Sequence, residues 1–97
     1  MGTDGHFASL FPGVDEATAG LNPENCRLYI PVSTAASPHP RASMTLAALS
    51  HCEEIILLIF GEEKRAVYNR AAAGDAALPI FHLLQQPTPR MSLYWAP

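Results

Sequence analysis

A chain of 97 residues is long enough for one small domain, because single domains hold roughly 50 to 250 residues. Hydrophobic residues make up 48% of it, charged residues 15%, and the formal net charge is −3, which is typical of a folded, mildly acidic protein and excludes a disordered segment. The six lysine and arginine residues are scattered, so no basic stripe is present and we expect no nucleic-acid partner.

The apolar and metal-ligating residues exclude two further classes. The longest strongly apolar run, residues 55–60, is far shorter than the ~20 residues needed to cross a bilayer, and no leader pattern precedes it. We therefore expect no membrane association and a cytoplasmic location. Cys26 and Cys52 form no C-x-x-C pair and are predicted to be buried, reduced thiols. The histidines lack the spacing of metal ligands, which predicts that no metal is bound.

The first part of the chain is rich in turn-forming residues. Residues 2–5 contain two glycines and predict a tight loop, and residues 6–11 are compatible with one or two helical turns before Pro12-Gly13. A strand is predicted over residues 27–32, where apolar and polar side chains alternate. Residues 33–41 contain two prolines and predict a loop.

The second part carries the clearest pattern. After an extended stretch at residues 44–46 and a short helix at 47–52, the predicted strand at residues 54–60 is a continuous apolar run from residue 55, bounded by Glu53-Glu54 before it and by Gly61 after it. Such a run is typical of a strand covered on both faces in a parallel sheet. Residues 62–73 are helix formers and end at Gly74, so strand, glycine turn and helix predict half of a βαβ unit.

A further helix is predicted over residues 76–86 and a last strand over 91–95. The predicted fold class is therefore α/β, as part of a doubly wound, mostly parallel, Rossmann-like sheet. Such sheets normally have five or more strands, whereas this chain offers three or four. We expect an incomplete sheet with exposed apolar faces and unpaired edges, to be covered by a missing N-terminal half or by self-association.

Two segments are candidates for a ligand site, because ligands in open α/β sheets bind beyond the carboxyl ends of the strands. The first is the glycine-flanked turn at residues 2–6, which brings the Asp4 carboxylate and the His6 imidazole together. The second is the turn after the buried strand, where Lys64 falls in the first turn of a helix. The helix dipole disfavours a cation there, so Lys64 predicts an anionic partner such as a phosphate.

Five motifs in order resemble the C-terminal portion of 6-phosphogluconolactonase, within the family of glucosamine-6-phosphate isomerases and 6-phosphogluconolactonases. They are Gly2-x-Asp4-Gly5-His6-x-Ala8-Ser9-Leu10-Phe11-Pro12, Pro40-Arg41-x-x-Met44-Thr45-Leu46, Gly61-x-x-Lys64, Leu78-Pro79 and Tyr94-Trp95-Ala96. The resemblance implies that residues 1–97 are a single C-terminal fragment of such a domain. It also implies that Met1 corresponds to the methionine of an internal GMG string.

The resemblance implies a carboxylic ester hydrolase that opens 6-phosphoglucono-lactone to 6-phosphogluconate in the pentose phosphate pathway, with no cofactor. His6 is then the general base, since an imidazole can accept a proton from water near neutral pH. Asp4 would orient the imidazole, and Arg41 and Lys64 would contact the substrate phosphate. From composition alone, His6 could instead cap a helix, Asp4 could form an Asx turn, and Arg41 and Lys64 could be solvated surface charges.

Two other functions remain open. Glucosamine-6-phosphate isomerase/deaminase is similar to the lactonase, but it carries a glutamate five residues after the histidine, where this chain has Phe11. A non-catalytic phosphosugar-binding remnant is the other alternative. The family's N-terminal strands and its glycine-rich phosphate turn are not in this sequence, so we expect the chain alone to be incomplete as a catalyst.

Overall fold

The computed structural model describes residues 1–35 and 38–97. The helices and strands in these residues are, in chain order, α1 (Asp15–Gly20), β1 (Tyr29–Val32), β2 (Arg41–Met44), α2 (Leu46–Leu49), β3 (Glu54–Phe60), α3 (Glu62–Ala72), α4 (Pro79–Leu84) and β4 (Arg90–Ala96). Helices and strands are mixed, which agrees with the predicted α/β class.

The pair β3–β4 is parallel over its full length, with Glu54 opposite Arg90 and Phe60 opposite Ala96. Between the two strands the chain passes through α3 and α4, which pack against each other, while α3 also contacts β3. A parallel pair needs such a crossover because the chain must return to the starting end of the sheet. The predicted strand, glycine turn and helix at residues 54–73 are confirmed.

The pair β1–β2 is antiparallel, with Tyr29 opposite Met44 and Val32 opposite Arg41. The prediction of a loop up to residue 41 and an extended stretch from residue 44 was wrong here, because the strand already begins at Arg41. Within the described residues, the strands form two separate two-stranded sheets. The mostly parallel, doubly wound sheet expected from the sequence is therefore present in this chain only as the β3–β4 pair.

The start of the chain also differs from the prediction. Residues 6–11 form turns rather than a helix, with an isolated bridge between Phe7 and Leu10. Ala8 has a φ of 50°, which lies in the left-handed region and cannot continue a right-handed helix. Helix α1 was not predicted, because Gly20 reads as a helix breaker. In the structure a Cβ on Gly20 would lie 2.6 Å from Ile30 Cδ1, so the Ile30 side chain packs directly against the glycine backbone.

Two helices begin and end at residues other than those predicted from the sequence. Helix α2 starts at Leu46 because the Thr45 side chain accepts a hydrogen bond of 3.0 Å from the Ala48 amide and so caps the helix. Helix α4 is shorter than predicted and starts at Pro79, a residue that fits the first turn because its missing N–H is not needed there.

One apolar core joins the elements. Its most completely buried apolar side chains include Leu10, Leu46, Ile59 and Ile80, which come from the first turns, α2, β3 and α4. Cys26 and Cys52 lie outside this core: both are free thiols and both are exposed, so the prediction that they are buried was wrong. Both fall in irregular segments between the regular elements, which explains their exposure.

The second face of β3 is uncovered. Leu57 and Ile59 are buried, whereas Ile56, Leu58 and Phe60 on the other face are each about 60% exposed (62%, 57% and 60%). This exposure agrees with the incomplete sheet and exposed apolar face expected from the sequence, whereas the cover on both faces that the apolar run is typical of is not provided by the described residues. None of the helices in the described residues is long and apolar enough to cross a membrane.

Candidate active site

The site is built on the loop at residues 2–6. The Gly2 amide donates to the His6 carbonyl at 2.9 Å, and the Gly5 amide donates to the Gly2 carbonyl at 3.1 Å, which closes the loop on itself. The Gly5 carbonyl accepts a hydrogen bond of 2.9 Å from the Ile80 amide in the first turn of α4. Gly5 has a φ of 83°, a conformation that favours glycine. The loop is thus anchored to a helix of the core.

Asp4 and His6 are in direct contact. The distance between Asp4 Oδ1 and His6 Nδ1 is 2.5 Å, and the same oxygen accepts a hydrogen bond of 3.0 Å from the His6 backbone amide. A carboxylate at Nδ1 favours the imidazole form that carries its proton there. The opposite nitrogen, Nε2, then presents a lone pair that can accept a proton.

The carboxyl of Asp4 is held in its ionised form. Partial burial by itself raises the pKa of this carboxyl, but hydrogen bonds from the His6 amide and ring, together with the charge of a protonated ring, outweigh the burial and lower the pKa below its ordinary value. An ionised Asp4 orients the His6 ring and stabilises the imidazolium that forms when Nε2 takes up a proton.

Arg41 joins this pair through Phe11. The centroid of the Phe11 ring lies 4.6 Å from that of His6, and the Arg41 Cζ lies 5.8 Å from the Phe11 centroid. Arg41 is the first residue of β2, and β2 is tied to the first turns by a hydrogen bond of 3.0 Å from the Ser9 amide to the buried Ser43 Oγ. The structure therefore brings Asp4, His6 and Arg41 to one region.

Lys64 lies at the beginning of α3, after the Gly61 turn. Gly61 has a φ of 90°, and its carbonyl accepts a hydrogen bond of 2.9 Å from the Trp95 indole N–H. The pKa of the Met1 amino group is lowered, first by burial and second by the positive charge of Lys64. Lys64 is therefore within electrostatic range of the residue that precedes the Asp4–His6 loop. In residues 1–35 and 38–97, no hydrogen bond or ion pair joins it to Asp4 or His6.

No group of three or more histidine, cysteine, aspartate or glutamate side chains could hold a metal ion in the part of the chain that the structure describes. The candidate side chains are instead one carboxylate (Asp4), one imidazole (His6) and two cations (Arg41 and Lys64). This set can move a proton and bind an anion.

Residues 1–95 match the family model described as glucosamine-6-phosphate isomerases/6-phosphogluconolactonase. The chain belongs to this family. It is similar to the 6-phosphogluconolactonase of Mesorhizobium japonicum, with 37% identity over 97 residues that cover 100% of this chain and 41% of the relative. The corresponding protein of Caulobacter vibrioides is 41% identical over 98 residues and is also covered to 41%.

The fold of this chain matches that of solved relatives. A crystal structure of a 6-phosphogluconolactonase from Shewanella baltica superposes with a TM-score of 0.88 at 31% identity, covering 98% of this chain and 41% of that one. A putative 6-phosphogluconolactonase from Neisseria gonorrhoeae gives a TM-score of 0.85 at 32% identity, with 100% and 42% covered. The chain thus spans about 41% of the length of the Mesorhizobium and Caulobacter relatives.

Three residues that shape the site were not predicted from the sequence. The sequence indicates Phe11 only as the residue in place of a glutamate, and it assigns no role to Ser43 or Trp95. The Ser9–Ser43 and Gly61–Trp95 contacts each join residues 34 positions apart, and the Phe11–Arg41 contact joins residues 30 positions apart. The motif strings included Phe11 and Trp95, and this was the one available signal for them.

Proposed function

We propose that this chain carries the water-activating part of a 6-phosphogluconolactonase, a hydrolase that opens 6-phosphoglucono-lactone to 6-phosphogluconate. The observation that carries the proposal is the Asp4–His6 pair. The Asp4 carboxylate oxygen lies 2.5 Å from His6 Nδ1, so Nε2 is the ring nitrogen that can accept a proton. A water molecule that attacks the lactone carbonyl must lose a proton as its oxygen bonds to carbon. His6 Nε2 accepts that proton, a role that contributes typically 10²- to 10⁴-fold to the rate, and returns it to the ring oxygen, which leaves as an alcohol when the lactone C–O bond breaks.

Arg41 and Lys64 are proposed to bind the phosphate of the substrate. Arg41 offers a planar guanidinium that can bind two phosphate oxygens, and Lys64 offers a point charge beside the first turn of α3. The free backbone amides of that turn are a further source of hydrogen-bond donors for an anion. A phosphate between these groups would fix the sugar so that its carbonyl lies near His6.

The lactonase reaction is favoured over glucosamine-6-phosphate isomerisation by Phe11. The isomerase pattern has a glutamate at this position, which acts in ring opening, whereas a buried phenylalanine side chain cannot transfer a proton. The names of the Mesorhizobium and Caulobacter relatives support the same choice.

We further propose that a polypeptide equivalent to the rest of the relatives' chain covers the apolar face of β3. More than half of each relative lies outside the matched part, since only 41% of its length is covered. Parallel strands that are covered by helices on both faces need a second layer against Ile56, Leu58 and Phe60. Self-association of this chain would be the other way to bury them.

The test measures lactone hydrolysis and product binding by the purified chain and by His6→Asn. Loss of lactone faster than its spontaneous hydrolysis, abolished by His6→Asn, supports the proposal. Hydrolysis that survives His6→Asn would remove the general-base assignment. Binding of 6-phosphogluconate without any hydrolysis would favour the phosphosugar-binding remnant. Asp15→Asn, on the exposed start of α1, serves as a matched control and should leave both readouts unchanged.

A further inference from the structure

Phe11 contacts two residues of the site that come from different elements. One is His6 in the loop, whose ring centroid is 4.6 Å from that of Phe11 with the two ring planes at 46°. The other is Arg41 at the start of β2, whose guanidinium carbon is 5.8 Å from the Phe11 centroid. The Phe11 side chain itself is only 9% exposed and belongs to the apolar core.

We propose that Phe11 is a positioning residue that fixes the plane of the His6 imidazole and holds the Arg41 guanidinium on the same side of the site. The proposal rests on the function proposed above and assigns a role to a residue that does not itself take part in proton transfer.

The need for a second contact on His6 follows from geometry. The hydrogen bond to Asp4 fixes the position of Nδ1 and the Gly2 backbone lies close to one edge of the ring, but a hydrogen bond at one atom does not by itself fix the ring plane. A ring packed against another at a tilted angle is an arrangement that aromatic groups prefer. Phe11 therefore limits the direction in which Nε2 points, and with it the place where an activated water can stand.

The contact with Arg41 affects the position of the Arg41 guanidinium rather than the plane of the His6 ring. Arg41 is exposed, and the Phe11 ring is one of the contacts that its side chain makes. Attraction between a guanidinium and an aromatic face at an exposed site corresponds to a preference of about two- to five-fold. That preference favours positions of the guanidinium near the Phe11 ring before the substrate arrives.

Phe11 can serve both partners because the core holds it from behind. Phe11 also lines a groove of about 290 Å³ together with residues that include Leu21, Pro79 and His82. Shortening the side chain to alanine would leave a cavity next to this groove. A test is therefore cleaner with leucine, which keeps an apolar side chain of similar size but has no ring face.

The experiment compares Phe11→Leu with Phe11→Tyr in the full 97-residue chain. Phe81→Leu is the matched control, because Phe81 also packs against a histidine, His82, with ring centroids 5.2 Å apart. Two readouts are taken: the affinity for 6-phosphogluconate, and the imidazole ¹⁵N chemical shifts of His6, which report the fraction of rings that carry the proton on Nδ1. The free energy of unfolding is measured for each variant so that the effects on folding and on the site are separated.

Phe11→Leu should weaken 6-phosphogluconate binding by about 3- to 10-fold and lower the fraction of His6 protonated on Nδ1. Phe11→Tyr, which keeps the ring, should stay within about two-fold of the wild type in affinity, as should Phe81→Leu. In an Arg41→Gln background the loss of affinity caused by Phe11→Leu should become smaller, because one of the two contacts is already gone.

Unchanged affinity and unchanged His6 shifts in a folded Phe11→Leu chain would overturn the proposal. So would a Phe11→Tyr chain that is folded but has lost the His6 form seen in the wild type. If the wild type neither binds 6-phosphogluconate nor hydrolyses the lactone, the proposed function fails, and the His6 shifts alone then decide the role of Phe11.

Discussion

At the scale of single residues, the Asp4–His6 pair depends on a neighbour with no side chain. A Cβ added to Gly2 would collide with His6 Cε1 and Nδ1 and would lie 2.9 Å from Asp4 Oδ1. The imidazole and the carboxylate thus meet directly over the Gly2 backbone. Glycine is required here because of this close approach.

The first prediction concerns the close contact between the His6 ring and the Gly2 backbone. Gly2→Ala should displace the His6 ring and break its contact with Asp4, and lactone hydrolysis should fall by roughly 100-fold, as expected for misplacement of a catalytic group by about 1 Å. The His6 ring signals in NMR spectra and the hydrolysis rate measure the effect. Gly13→Ala is the control, because a Cβ there meets nothing within 4 Å. It should cost roughly 1 kcal/mol of stability through its positive φ and leave the His6 signals in place.

The second prediction concerns pH. The pKa of Asp4 is lowered in the folded chain, since hydrogen bonds from His6 outweigh the opposing effect of burial. A carboxyl with a depressed folded pKa stabilises the fold fully above its unfolded pKa, near 3.8, and this contribution is lost as the pH falls through the folded value. The free energy of unfolding of Asp4→Asn should therefore depend less on pH below about 5 than that of the wild type.

Urea denaturation at pH 3, 4 and 6 would measure this difference. Asp15→Asn is the matched control, because Asp15 lies on the exposed start of α1. The pH profile of Asp15→Asn should follow that of the wild type. An Asp4→Asn profile parallel to the wild type would contradict the assignment of a lowered Asp4 pKa.

At the scale of elements, the turn that carries Lys64 is fastened to the end of β4. The Gly61 amide donates to the Ala96 carbonyl at 2.9 Å, and the Gly61 carbonyl accepts from the Trp95 indole at 2.9 Å. The Arg65 guanidinium lies 4.4 Å from the centroid of the Trp95 ring. The first turn of α3 is therefore positioned by the neighbouring strand.

The third prediction separates these contacts. Trp95→Phe keeps an aromatic ring but removes the indole donor, so the free energy of unfolding should fall by about 0.5–1.5 kcal/mol, the range for one hydrogen bond. Circular dichroism during urea denaturation measures it, because the only tryptophan is removed. Arg65→Gln removes the cation and keeps the hydrogen bond, and should cost about 0.5–1 kcal/mol. A Trp95→Phe chain as stable as the wild type would show that the indole hydrogen bond contributes nothing.

At the scale of the whole molecule, one face of the β3–β4 sheet exposes apolar side chains. Leu58 lies opposite Tyr94 in the register, and both side chains are exposed on this face beside Ile56 and Phe60. Contiguous exposed apolar surface of this kind supports the proposal that another polypeptide packs here.

The fourth prediction follows from that surface. Leu58→Glu should reduce concentration-dependent association of the purified chain, because a charge would have to be buried in the contact. Sedimentation velocity at several protein concentrations measures the association. Leu28→Glu is the control, since Leu28 is similarly exposed but precedes β1, away from this face. A chain that is monomeric at every concentration, with no difference between the variants, would contradict self-association through this face.

Much of the second half of the chain could be predicted from its sequence. The local signals are the apolar run of β3, the glycine that follows it and the helix formers of α3. Such signals are enough to predict a strand or a helix where the hydrophobic pattern and the residues that end an element agree. The contact between Asp4 and His6 was also predictable, because the two residues are separated by a single position in a glycine-flanked loop.

Tertiary structure alone decided the rest. Residues 6–11 form turns although Phe7, Leu10 and Phe11 have the spacing of one helix face, because Ala8 takes a left-handed conformation and the Ser9 amide bonds to Ser43 of β2 instead of continuing a helix. The antiparallel β1–β2 pair and the position of Arg41 over Phe11 depend on residues far apart in the chain. Local propensity cannot encode such contacts, because their free energy comes from burying side chains of several elements together.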